Sequence, residues 1–134
     1  MDQKIVSCNT KKQCLQFLEV LRWDGEPECP YCHSKRSTKM KDLQKYYCNN
    51  CYTSFSVTVD TIFHNTRISL KKWFIGISLI LEEDKNISVR KLAEKIGVNK
   101  NTAWLIKKKV IEGLNLKEDR DLIIKILDSY NRQR

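Results

Sequence analysis

Four cysteines set the tightest limit on how this chain can fold. They read C-P-Y-C at Cys29 and Cys32 and C-N-N-C at Cys48 and Cys51, with fifteen residues between the pairs. Each C-x-x-C is a tight turn that aims two sulfurs at one point. The segment between them is long enough for a short hairpin that brings the second turn back to the first. Two such pairs at this separation match the four-thiolate zinc ribbon. Iron would use the same thiolates, although two symmetric knuckles favour Zn²⁺. The other alternative, a pair of disulfides, is disfavoured by the rest of the composition.

A chain of 134 residues is one domain, or two very small ones if a metal supplies part of the stability. Lys4, Lys11 and Lys12 interrupt the first 20 residues, so no signal-peptide core is expected. The longest apolar run, Trp73 to Leu81, has nine residues and falls short of a bilayer span. The expectation is a cytoplasmic protein, nucleoid-associated or encoded by a virus or mobile element. In a reducing compartment cysteines bind metal more often than each other. Cys14, on the apolar side of an expected helix, reads as a buried free thiol, and Cys8 is unassigned.

The net charge of +9 points to a polyanion partner. Residues 1–28 carry four basic and five acidic groups, and 116–134 carry five and four. The excess lies between them: six against two in residues 29–69, and ten against five in 70–115.

Along the chain, Thr10 and Gln13 fit a capping box for an amphipathic helix carrying Cys14, Leu15, Leu18 and Leu21, ended by Asp24-Gly25 and Pro27. Ser37–Lys41 and Lys45–Tyr47 read as strands joined by a turn at Asp42–Gln44, with a third strand over Ser54–Val59. Tyr46 or Tyr47, with Phe55, should form the ribbon's core. Lys35, Arg36, Lys39, Lys41 and Lys45 lie along the hairpin, where they can meet phosphates. Ser69 is the expected N-cap of a core helix with Leu70, Trp73, Phe74, Ile77, Ile80 and Leu81 on its apolar stripe.

A second pattern follows. Ser88 caps a helix with Val89, Leu92, Ala93 and Ile96, which Gly97 ends. Asn99 caps another with Ala103, Ile106 and Val110 inside. This is the arrangement of a helix-turn-helix: small Ala93 at the crossing, Gly97 free to take a positive φ, and Val98 tucked into the angle. The helix from Lys100 to about Leu114 is then the recognition helix. Lys100, Asn101, Thr102, Leu105, Lys107 and Lys108 are its candidate DNA contacts, with Asn101 suited to bidentate reading of adenine. Trp104 either stacks outward or packs.

The succession R-W at Arg22-Trp23, C-P-Y-C, Y-Y-C-N-N-C, F-S-V-T-V-D-T-I-F-H-N-T-R-I-S-L-K-K-W-F and K-N-T-A-W resembles the N-terminal region of zinc-ribbon insertion-sequence transposases, over about residues 10 to 115. The resemblance implies that Cys29, Cys32, Cys48 and Cys51 bind zinc and that Lys100 to Lys109 read DNA. It also implies a following DDE catalytic domain of the ribonuclease-H type, for which the 18 residues after Leu116 are too few. Three positions depart from the family pattern. His33 and Asp60 stand where glycine is usual, and Ser69 where proline is frequent. His33 could serve as a spare ligand, whereas His64 reads as merely polar.

The expected fold is therefore α+β and mostly α: a small three-stranded zinc ribbon packed with a homeodomain-like helix-turn-helix bundle. Residues 1–26 form an N-terminal helix, 27–60 the ribbon, 61–116 the helix-turn-helix domain and 117–134 a C-terminal amphipathic tail. In that tail Leu122, Ile123, Ile126, Leu127 and Tyr130 make an apolar stripe that either folds back on the core or joins a homodimer. No nucleophile elbow, Gly-rich phosphate loop or Cys-His pair is present. The expected function is zinc-dependent, non-catalytic binding of double-stranded DNA, as a regulator. The alternatives are an adaptor on the transcription machinery and a nucleic-acid packaging protein.

Overall fold

The computed structural model describes residues 10–40, 45–64, 66–83 and 86–131. Cys8, Lys41, the turn Asp42–Gln44 and the side chain of Tyr130 lie outside the described residues.

Helix α1 runs Lys11–Trp23 and begins with both bonds of the capping box. Thr10 Oγ1 accepts from the Gln13 N–H, and Gln13 Oε1 accepts from the Thr10 N–H, both at 3.1 Å. It ends with Asp24 in the left-handed region at φ 50°. Cys14, Leu15, Phe17, Leu18 and Trp23 are buried. Cys14 is disulfide-bonded rather than the free thiol expected.

Strands β1 (Ser37–Met40), β2 (Lys45–Cys48) and β3 (Ser54–Phe55) form an antiparallel sheet in the order β1-β2-β3. The third strand is shorter than alternation suggested. Val57 is buried, but the chain turns from there and reaches φ 61° at Asp60. Tyr46, not Tyr47, enters the ribbon's core. Tyr46 stacks on Phe55 at 5.8 Å, and the Trp23 ring meets the two edge-on at 5.4 and 5.7 Å.

Helix α2 (Leu70–Ser78) passes into a π-helical turn at Leu79–Glu83. Ser69 precedes it, but its side chain makes no capping bond. Trp73, Phe74, Ile77 and Ile80 are at most 1 % exposed, so this helix is the centre of the core. Helices α3 (Val89–Ile96) and α4 (Lys100–Gly113) are capped as the sequence indicates: Ser88 accepts from the Lys91 N–H and Asn99 from the Thr102 N–H. Between them Gly97 takes φ 85° and α3 packs on α4. Gly76 of α2 lets this pair approach, since a Cβ there would stand 2.8 Å from Ile106 Cγ2 and 3.2 Å from Ile96 Cδ1.

Helix α5 (Lys117–Asn131) packs on α1, α2 and α4. Leu122, Ile123 and Ile126 are buried and Leu127 is partly buried, so this part of the stripe folds back on the chain's own core. The molecule is mostly helical with one small sheet, an α+β arrangement. Buried residues from α1 through α5 make one continuous hydrophobic cluster. Among the described residues no helix is long and apolar enough to cross a membrane.

Candidate metal centre and basic surfaces

Each C-x-x-C folds as a knuckle whose backbone amides turn toward the first sulfur. Tyr31 N–H donates to Cys29 Sγ, and the N–H groups of Asn50 and Cys51 donate to Cys48 Sγ, all at 3.4 Å. The chain then reverses: His33 N–H bonds Cys29 C=O at 2.8 Å and Tyr52 N–H bonds Cys48 C=O at 3.0 Å. His33 and Tyr52 accordingly sit at φ 65° and 62°. The β1–β2 ladder pairs Ser37 with Cys48 and so brings the second knuckle beside the first.

The four sulfurs lie within 4.8 Å of one another, with Cys29–Cys51 at 3.6 Å and Cys32–Cys48 at 3.5 Å. A sulfur–sulfur bond would require about 2.05 Å, which sets the disulfide alternative aside. A tetrahedron with Zn–S of about 2.3 Å has sulfurs roughly 3.8 Å apart, close to what is seen. Cys29 and Cys48 are fully buried, and Asn50 Nδ2 donates to Cys32 Sγ at 3.6 Å as an outer partner. The backbone N–H of Cys51 is the largest influence pulling the Cys48 thiol down, to about 6. The Asn50 amide leads in lowering Cys32, while burial pushes Cys29 up to about 11. Four soft, converging donors, two of them (Cys32 and Cys48) drawn toward thiolate by neighbouring amides, fit a single structural Zn²⁺. His33 is not among them. Its ring is exposed, with Nδ1 3.3 Å from Glu28.

The ribbon is anchored by residues whose role the sequence did not reveal. Arg22 Nη1 donates to Val57 C=O at 2.8 Å and to Val59 C=O at 2.7 Å. Burial lowers its pKa, against the nearby charges of Asp60, Glu118, Asp119 and Glu28. Tyr46 Oη donates to Glu19 Oε1 at 2.9 Å, and burial followed by that carboxylate pushes the phenol up to about 12.

The expected nucleic-acid contacts fall into unlike settings. Lys35 pairs with Glu26 at 3.3 Å, whereas Arg36 and Lys39 are exposed. On α4, Lys100, Asn101 and Lys108 are exposed, with Leu105 and Thr102 half-buried. Trp104 is 52 % exposed, and Lys108 Nζ lies 5.0 Å from its ring centroid. Lys107 differs from its neighbour: half-buried, its Nζ donates to Ile87 C=O at 2.7 Å. Lys72 Nζ similarly reaches Gly97 C=O at 3.1 Å in the turn between α3 and α4.

The knuckles, the three-stranded sheet and the four thiolates define a structural zinc ribbon. Residues 9–54 match the transposase zinc-ribbon domain, so the ribbon is of transposase type, as the resemblance implied. The chain is also 26 % identical over 98 residues to an uncharacterized protein in transposable element ISH50 of Halobacterium salinarum. That similarity covers 71 % of this chain and 33 % of the relative, so the matched region spans about a third of the relative's length. No solved structure matches the chain.

Proposed function

We propose that this chain binds duplex DNA in a transposase-related setting. Helices α3 and α4 act as a helix-turn-helix, the ribbon as a second grip, and the role is regulatory and non-catalytic. The observation that carries the reading is the two-faced character of α4. Ala103, Ile106 and Val110 are 0 % exposed, while Lys100, Asn101, Trp104 and Lys108 face out from the helix that follows the Gly97 turn. A helix presented in this way is suited to the major groove, with Asn101 reading an adenine edge and Lys100 and Lys108 meeting guanine or phosphate. Thr102 and Leu105 flank that face and complete the contacts. Lys107, held by the Ile87 carbonyl, is left out.

Arg36 and Lys39 on the ribbon grip phosphate, and Lys35 joins them at the cost of its pairing with Glu26. The division into residues 1–26, 27–60, 61–116 and 117–134 is retained as a functional one, with the ribbon and the helix pair as the two gripping units. A homodimer through α5 would use its outer residues, such as Ile124 at 43 % exposure, because Leu122, Ile123 and Ile126 are buried within the chain.

Selection of bound duplexes from a random pool tests the reading. Recovery of a defined site, with specificity relaxed in Asn101→Ala and non-specific affinity little changed, supports it. Binding indifferent to sequence would favour packaging, and no duplex binding alongside capture of a polymerase would favour the adaptor.

A further inference from the structure

The outer face of the ribbon's sheet takes no part in the metal site or the core. Strand alternation sorts β2: Tyr46 and Cys48 are buried, Lys45 and Tyr47 exposed. Opposed residues in an antiparallel pair share a face. Tyr47 therefore stands with Thr38 and Ser54, and Lys45 with Met40. The Asn49 N–H donates to Arg36 C=O at 2.8 Å, and Asn49 Nδ2 to Thr38 Oγ1 at 3.1 Å. These bonds extend the ladder by one pair and put Arg36 on the same face. Tyr52 brings its ring 6.5 Å from that of Tyr47, at 44°. Two tyrosines and two cations share this face, with no carboxylate among the described residues of the face.

Tyr52 is the informative member. At 71 % it is more exposed than any other large apolar side chain among the described residues, so burial does not explain an aromatic there. Its φ of 62° is a conformation that bulky residues rarely adopt, so the backbone does not explain it either. The bond from its N–H to Cys48 C=O fixes that φ, as the matching bond does at His33, but accounts for no aromatic ring; a ring paired with Tyr47 on an open face points to a ligand.

We infer that this face is a stacking platform for unpaired bases of single-stranded nucleic acid, with Arg36 and Lys45 along the phosphates. A duplex offers base edges and backbone, and only unpaired bases offer ring faces to tyrosine. Among its described residues the face carries positive and no negative charge, which suits a polyanion. The inference shares Arg36 with the duplex reading, but it rests on Tyr47 and Tyr52, which that reading does not use.

The test compares the zinc-loaded full chain on an oligothymidine of about 15 nucleotides, within the span of known single-strand sites, and on an abasic deoxyribose-phosphate strand of equal length. The wild type should prefer the oligothymidine. Tyr47→Ala and Tyr52→Gly should each lose roughly 5- to 100-fold on it, with abasic binding unchanged and Tyr47→Phe close to wild type. Arg36→Gln should flatten the salt dependence of log K by about 0.7. Tyr52→Gly guards against misfolding, because glycine suits that φ, and retained zinc confirms the fold. Equal binding to both strands overturns the inference. So does a Tyr52→Gly variant with full oligothymidine affinity, or one that loses only the capture of a protein.

Discussion

Lys107 and Lys108 are adjacent in sequence but should respond oppositely when their charge is removed. The Lys107 ammonium is half-buried and donates to Ile87 C=O at 2.7 Å, tying α4 to the residue just before the Ser88 cap. A hydrogen bond with a charged partner contributes about 1.5–3 kcal/mol, and its loss also strands a carbonyl. Methionine keeps the apolar stem, so Lys107→Met isolates that term. A chain of this length shifts by about 3–5 °C per kcal/mol, which sets the expected fall in Tm at roughly 5–15 °C. Lys108 is exposed over an exposed Trp104 ring, a contact contributing about 0.5–1 kcal/mol. Lys108→Met should therefore lower Tm by no more than about 5 °C. Salt-dependent duplex binding supplies the second readout. One lost phosphate contact reduces the slope of log K against log salt by about 0.9, and that loss should appear in Lys108→Met alone. A Lys107→Met variant with unchanged Tm and a flattened slope would refute the assignment.

Gly76→Ala sets about 1 kcal/mol of added helix propensity against overpacking that costs about 1–3 kcal/mol. With Ile106 Cγ2 only 2.8 Å from the new Cβ and Ile106 fully buried, packing should win and Tm should fall; an unchanged or raised Tm would show that the α2–α4 crossing relaxes freely. Chelation of the metal should open the knuckles and alter Trp23 fluorescence, because its ring lies 5.4 Å from Tyr46 in the ribbon's core, while circular dichroism from the helices largely persists. Tyr46, with its phenol pushed up to about 12, favours the folded state below pH 10, where the unfolded phenol is still neutral. That contribution is lost as pH rises from about 10 to about 12. Denaturant titrations across this window should show a smaller decline in Tyr46→Phe.

What the sequence made legible was local chemistry. Each C-x-x-C knuckle, the Thr10 box, the Ser88 and Asn99 caps and the Gly97 turn depend on partners within a few residues, and each forms as expected, while the fifteen-residue spacing signalled that the two knuckles converge. Long-range partners carried no such signal. Nothing near Arg22 announces carbonyls 35 and 37 residues away, and the triplet Lys107 to Lys109 gives no hint that one ammonium is bound to Ile87. Tyr46 and Tyr47 were indistinguishable until strand parity was known, and parity depends on which face the Trp23 and Phe55 rings cover.

Two of the three departures that the resemblance implies, His33 and Asp60, are accommodated by backbone shape. His33 and Asp60 replace residues that the resemblance gives as glycine, and both sit at positive φ, 65° and 61°. An L-residue in that region is strained by about 1–2 kcal/mol, less for Asp, whose short side chain bonds locally. Both turns therefore adopt a geometry that glycine favours without having a glycine. The reason is that neighbouring bonds over-determine them: His33 N–H is fixed to Cys29 C=O at 2.8 Å, and Asp60 N–H to His64 Nδ1 at 3.3 Å. His64, which reads in the sequence as merely polar, thus helps to hold the turn that leads from the ribbon into the helical core. Where a sequence loses a glycine and the fold keeps its φ, the constraint lies in the surrounding hydrogen bonds, and the departure does not weaken the resemblance.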